Sequence, residues 1–315
     1  MSRVAPRLFN LDTVMVDVVM RVVALPTRGG DSLASSHVVT TGGGFNVMSA
    51  AARQGMDVTY VGRLGRGAFS DLARADLATL AIDSPLAPAS ELDVGFCVVL
   101  VDESGERTFV TAPGAELTLS SADLDTVAPH EGDYVFLSGY SLVYPEIGPV
   151  VAAWIAGLAP GVVVAFDPAP RVLDIDASIL DPVLARTDWL LLNTVEAMAL
   201  SGEEEMGDVI EVLLTVSGRR GIVIHADERG CVLATREGDV HEVAGFAIKV
   251  IDTNGAGDTH DGVVLAELSR GSSALEAATR ANAAAALAVE RVGPATCPTR
   301  EEITAFLAGS PRRTD

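Results

Sequence analysis

The sequence predicts an α/β fold: a mostly parallel central sheet flanked by helices, with a small β-sheet standing off it. Two observations carry this. From residue 120 onward, apolar β-branched runs alternate with helical patterns, which is the rhythm of strand–helix–strand units. Residues 94–112 break that rhythm with a hairpin: 95–101, a Ser104-Gly105 turn, then 107–111. An early strand pair near 16–41 is placed to complete the second sheet. The chain is therefore read as one domain over 1–315, with an inserted lid from about 16–41 and 94–112.

Taken in order, residues 7–25 read as strand, because Val14, Val16, Val18, Val19, Val22 and Val23 are β-branched and Pro26 closes the run. Residues 37–41 form a second strand that ends in Gly42, Gly43 and Gly44. Asn46 is placed to cap a small-residue helix that Gly55 ends. Residues 58–61 are a strand and 68–80 a helix. After the hairpin, strands are expected at 134–137, 162–166, 189–192, 222–225 and 231–235. Helices are expected at 147–158, 195–200, 206–216, 258–270 and 274–291. The tail from Gly309 reads as loose.

Bulk properties narrow the function. With 43 acidic and 22 basic residues the formal charge is −21, which argues against nucleic acid or an anionic membrane as a partner. A small-molecule substrate suits this balance better. Lys249 is the one lysine, so G-x-x-x-x-G-K-[ST] phosphate loops are absent. Cys97, Cys231 and Cys297 lack metal or disulfide spacing, and the amino terminus lacks a signal-peptide pattern. The expectation is a soluble, cytoplasmic protein.

Chemistry concentrates at 251–262, I-D-T-N-G-A-G-D-T-H-D-G. Gly255, Ala256 and Gly257 form a turn that opens a helix, and amides there lack intrahelical partners and carry the positive end of the dipole. Such a turn holds an anion. Asp258 stands on the first helical turn, either as a base beside a held phosphoryl group or as a residue that only complements the dipole. Asn193 and Glu196 are spaced N-x-x-E at a strand end, which fits a capping box, ligation of magnesium through water, or both. Asp17 lies mid-strand among valines, either as an edge charge or as a contact for sugar hydroxyls. Gly42 and Gly43 would let a ligand approach the backbone closely.

Three stretches together, D-T-N-G-A-G-D at 252–258, N-T-V-E at 193–196 and G-G-G-F-N at 42–46, resemble the ribokinase-like PfkB carbohydrate kinases, over roughly residues 8–305. The resemblance implies a large α/β domain with a small β lid. It implies transfer of the γ-phosphate of ATP to a hydroxymethyl group, usually of a sugar or nucleoside. In this family pattern Asp258 is the base, and Gly255, Ala256 and Gly257 form the anion hole. Asn193 and Glu196 are the magnesium and phosphate pair, and Asp17, Gly42, Gly43 and Asn46 are substrate contacts. The loop from His225 to Gly230 touches nucleotide phosphates, and Asn282 lines the adenine pocket. Asp252 and the loop after Arg291 form a monovalent-cation site, for K+, that some members use.

The chain departs from that pattern at Asp12, where an early glycine is usual. It also departs at Gly44, in place of the lysine of G-G-K-G, and at Asn254. Residues 138–140 read S-G-Y where ribokinases place a ribose-binding glutamate. The expected activity is an ATP-dependent sugar kinase. The alternatives are a nucleoside kinase of the same fold, with Phe96, Phe109 and Tyr140 near its base, and a non-catalytic sugar sensor. A homodimer through the lid edges is also expected.

Overall fold

The computed structural model describes residues 5–89 and 91–309. The tail at 310–315, expected to be loose, lies outside the described residues; Gly309 itself ends the last helix.

The run 7–25, expected as one strand, is two. They are β1 (Arg7–Asn10) and β2 (Val14–Arg21), and they belong to different sheets. The break has a local cause. The Asp12 amide donates to Asn10 Oδ1 at 2.8 Å, and Asp12 Oδ1 accepts from the Thr13 amide at 2.8 Å. These side-chain bonds replace ladder bonds and turn the chain.

Then follow β3 (Ser36–Gly43), α1 (Phe45–Arg53), β4 (Asp57–Tyr60), α2 (Ala68–Thr79), β5 (Phe96–Val101) and β6 (Arg107–Ala112). Gly44, not Asn46, occupies the N-cap of α1, and Asn46 lies inside the helix with its side chain directed elsewhere. The second half holds α3 (Ser121–Leu124), β7 (Tyr134–Ser138), α4 (Gly148–Gly157), β8 (Val163–Asp167), α5 (Ala177–Arg186), β9 (Trp189–Asn193), α6 (Thr194–Ser201), α7 (Met206–Val216), β10 (Gly221–His225), β11 (Gly230–Thr235), β12 (Val240–Ala244), α8 (Ala256–Ser269), α9 (Ala274–Val289) and α10 (Arg300–Gly309). Four of these were not anticipated: α3, α5, β12 and α10. Helix α5 carries Pro182 in its interior, which removes a backbone donor and breaks the sequence signal. Its start is fixed by Asp176, which accepts from the Ser178 amide at 2.9 Å.

The large sheet runs β12-β11-β10-β9-β8-β7-β1-β4, with β11 antiparallel to both β10 and β12 and the other neighbours parallel. Its central parallel strands β7 to β10 are buried on both faces. In β7, Tyr134 and Phe136 face one core, which includes residues of α1, α2, α8 and α9; Val135 and Leu137 face the other, with α4, α5 and α7. Burial of each such side chain contributes roughly 1.5–3 kcal/mol, and this two-sided burial explains why the strands read as continuous apolar runs.

The small sheet runs β3-β2-β5-β6, with β2 and β5 parallel. Register places Asp17, Val19 and Arg21 on the same face as Cys97, Val99, Val101 and Arg107.

The carboxyl ends of the parallel strands gather at one edge of the large sheet. Asp12 follows β1, while Ser138, Asp167, Asn193 and His225 end β7, β8, β9 and β10. The amino end of α8 meets them there. In open α/β sheets ligands bind at such strand ends.

Candidate active site

The turn before α8 depends on glycine. Gly255 adopts φ 72°, in the left-handed region, and a Cβ there would strike the carbonyl of Pro294. The Ala256 amide donates within the turn to the Thr253 carbonyl at 3.3 Å. Helix geometry leaves the amides of Gly257 and Asp258 as the outward donors of the first turn.

Asp258 is half-buried, and its Oδ2 accepts from Asn46 Nδ2 at 2.9 Å. Burial raises its pKa to about 7, and the charges of Asp261 and Asp12 push the same way. The Asn46 hydrogen bond and His225 pull it down without reversing the shift. A carboxylate with such a pKa holds a proton weakly enough to exchange it near neutrality, as a general base must.

More carboxylates surround it. Asp12 is buried and accepts from Ser138 Oγ at 2.6 Å and Ser141 Oγ at 3.3 Å; burial raises its pKa to about 6. Asp167 sits well above the usual carboxylate range, through burial and then the charges of Asp261, Glu196 and Asp258. Glu196 is also raised, chiefly by burial. Asn193 and Glu196 form a reciprocal capping box: each backbone amide donates to the other's side chain at 2.9 Å. The capping reading of N-x-x-E is therefore realised, and the box leaves Glu196 beside the other carboxylates.

Tyr140 is 42% exposed beside Asp12, Asp167, Glu196 and Asp258, which together with burial push its hydroxyl up to about 12.

His225 is the basic group that faces this cluster. Burial alone would lower its pKa, but the charges of Asp261, Glu196 and Asp258 raise it overall. Its Nε2 lies 3.1 Å from Asp261 Oδ1, close enough for ionic attraction but not aligned as a hydrogen bond. The His225 and His260 rings stack at a tilt, 4.5 Å between centroids. His260 stays neutral to well below its usual pKa because it is buried beside His225. Asn282 is buried: its amide donates to the Val243 carbonyl at 2.8 Å and its Oδ1 meets His260 Nε2 at 3.0 Å. Its side chain is thus committed to protein partners.

Gly230, with φ 102°, packs too tightly against Val243 to carry a side chain, so it shapes the loop after β10.

On the small sheet, Asp17 is half-buried and burial raises its pKa to about 6. A Cβ at Gly42 would strike its carboxylate, and one at Gly43 (φ 60°) would strike the Thr13 carbonyl. Both glycines are therefore required by the close approach of β3 to Asp17 and Thr13.

Asp252 meets a cation from its own chain. Its Oδ1 accepts from Arg107 Nη2 at 2.7 Å and from the Asn254 amide at 3.0 Å, and its Oδ2 accepts from the Gly293 amide at 3.1 Å. Arg107 comes from β6, so this ion pair ties the small sheet to the segment before the turn. A cavity of about 450 Å³ opens there, between Val19, Val99 and Arg107 on one side and Thr253, Asn254 and Pro294 on the other. It lies beside the turn rather than at Asp258.

Asp167 is legible in the sequence as a polar residue at a strand end, whereas Asp12, Asp261 and Arg107 were not among the residues singled out for the site. Asp12 also carries a signal, lying just past a strand end. Asp261 carries none, since D-T-H-D reads as an ordinary helix face.

A large parallel sheet, a small second sheet, and a carboxylate on the first turn of a glycine-opened helix define a ribokinase-like kinase. The model of the pfkB family carbohydrate kinases matches residues 6–301, and the chain belongs to that family. It is an ATP-dependent phosphotransferase of the sugar-kinase type. The chain is 30% identical over 303 residues to an uncharacterized sugar kinase, YegV, of Escherichia coli K12, covering 92% of this chain and 90% of that protein. It is 29% identical over 309 residues to an ATP-dependent ribose-1-phosphate kinase of Halopiger xanaduensis, covering 96% and 98%. Its structure is similar to that of a ribokinase from Thermotoga maritima, with a TM-score of 0.82 and 26% identity over 97% of this chain and 100% of the other. Among the described residues, no helix is long and apolar enough to cross a membrane.

Proposed function

We propose that this kinase transfers the γ-phosphate of ATP to a hydroxymethyl group of a small sugar, with Asp258 as general base. The observation that carries this is the placement of Asp258: half-buried, poised near neutrality, held by Asn46, and one residue past the outward Gly257 amide. Asp258 takes the proton of the attacking hydroxyl. The Gly255–Gly257 turn holds the transferred phosphoryl group through its outward amides, those of Gly257 and Asp258, where backbone donors do the work a lysine does in other phosphate sites.

Asp17, Gly42 and Gly43 form the acceptor side, with the small sheet acting as a lid that keeps water from competing. Asp12, held by Ser138 and Ser141, stands where it can receive further hydroxyls. The density of carboxylates favours an uncharged polyol over a sugar phosphate.

The mutual repulsion among Asp167, Glu196 and Asp258 fits a divalent cation close by. Glu196 and Asn193 would hold Mg2+ through water; the ion neutralises phosphate charge. His225 and the loop through Gly230 flank the nucleotide phosphates, and Asn282 serves them by positioning His260. Asp252 keeps its carboxylate on Arg107, so a K+ ion at this position would have to share that charge.

Tyr140, exposed among the carboxylates, favours a second reading, in which it stacks on the base of a nucleoside. A phosphorylation screen with ATP and Mg2+ across sugars and nucleosides decides between them. Turnover of a sugar is the expected result, turnover of nucleosides alone would move the assignment to the second reading, and binding without turnover of any acceptor would overturn both. We also propose that the exposed edges of the small sheet pair two copies into a homodimer.

A further inference from the structure

We propose that His225, His260 and Asp261 form a binding site for a borderline divalent metal ion of the Zn2+ type, distinct from the Mg2+ that accompanies ATP. One ligating atom from each residue lies within 4.8 Å of the others. The hydrogen bonds around them leave their lone pairs without donors. The Asn282 amide donates to Val243, so its Oδ1 must accept from His260 Nε2, which therefore carries the proton. His260 Nδ1 is then a bare acceptor, and it is buried without a partner. Both oxygens of Asp261, which is fully buried, are also without hydrogen-bond partners, and so is His225 Nε2.

A buried carboxylate and a buried imidazole lone pair, each without a donor, are costly. A proton on His225 Nε2 answers Asp261 but leaves His260 Nδ1 unanswered. A cation at their centre answers all three. Two imidazole nitrogens and one carboxylate suit Zn2+, Co2+ or Ni2+, whereas Mg2+ takes oxygen ligands.

The surrounding shell fits as well. A ligating histidine ordinarily donates its other ring N–H to a carbonyl, and His260 does so to Asn282. The His225 side chain is 17% exposed, so the site is open to solvent on that side. The ion would fix the end of β10 to the first turns of α8. It would thereby hold the anion-binding turn in place, since the His225 ring lies beside Gly257, 3.7 Å from where a Cβ would stand. This inference goes beyond the kinase reading and does not depend on it.

The test is metal content of the untagged protein, stripped with chelator, reloaded with Zn2+ and dialysed, alongside the visible spectrum of the Co2+-loaded form. We expect one equivalent per chain and a Co2+ spectrum of nitrogen–oxygen ligation. His260→Phe and Asp261→Asn should each lose the metal while circular dichroism stays native. Asn282→Ala should weaken binding by about 10- to 100-fold, as loss of a supporting hydrogen bond does. No bound Zn2+ or Co2+ in the folded wild type would overturn the proposal and leave a buried water or an imidazolium in its place. Equal retention by the three variants, or displacement of the ion by Mg2+ alone, would equally overturn it. If a variant fails to fold, the wild-type stoichiometry and Co2+ spectrum still decide.

Discussion

At the scale of single residues, the proposed mechanism turns on Asp258. As general base it should be worth about 100- to 10,000-fold in turnover. Asp258→Ala is therefore expected to bind ATP and acceptor, measured by calorimetry, while kcat falls by that factor; near-normal kcat would remove the assignment.

Its pKa of about 7 predicts that kcat/KM rises as pH passes through neutrality, because the base must be unprotonated. Asn46 donates to the ionised form and so lowers that pKa. In Asn46→Ala the rising limb of the pH profile should move to higher pH, and a limb that stays put would show that another group titrates.

The same shift affects stability. A carboxylate whose folded pKa lies above its unfolded value of 3.8 loses stability for the fold as pH rises between the two, because the folded state binds the proton more tightly. Asp258→Asn should thus be more stable than wild type at pH 8 by ~1–3 kcal/mol. The gain should fade as pH drops from 7 towards 4, as thermal melts across that range would read.

At the scale of elements, the site is made by strand ends and two glycine-dependent approaches. The strand ends were legible: β7 to β10 are apolar on both sides and stop where a polar residue begins. The approaches were legible only as glycines, without their partners. Gly42 shows why the partner matters. Its missing Cβ makes room for the Asp17 carboxylate across β2 and β3. Gly42→Ala should displace Asp17 and raise KM for the acceptor several-fold, with KM for ATP little changed; equal effects on both would place Asp17 outside the acceptor pocket.

Asn46 is the clearest misreading at this scale. A polar residue after glycines suggests a cap, yet Gly44 occupies the cap. Asn46 instead faces a residue 212 positions away. Helix α5 carries a weak helical signal in the sequence because Pro182 interrupts an otherwise ordinary pattern.

At the scale of the whole molecule, the small sheet presents apolar side chains to solvent. Val38 and Val39 on β3, and Phe109 and Val110 on β6, are 43–62% exposed on edge strands of that sheet. Unpaired edges with apolar side chains invite association. Light scattering at micromolar concentration is expected to give a dimer that Phe109→Asp converts to a monomer; a monomeric wild type would end the lid-dimer proposal. The Arg107–Asp252 pair reaches from this sheet to the segment before the glycine turn of α8, so the small sheet is tied to that turn by charge as well as by chain connection.

The sequence by itself determined the alternation of strands and helices, the separate hairpin and the glycine turn with its aspartate. Each is encoded locally, by side-chain periodicity and by residues that permit unusual backbone angles. Only the tertiary structure decided that 7–25 divides between two sheets, that Asn46 holds Asp258, that Arg107 meets Asp252, and that His225 faces His260 and Asp261. These are contacts between segments far apart in the chain. Their electrostatics depend on burial and on neighbours brought together by packing, and local periodicity carries no trace of either.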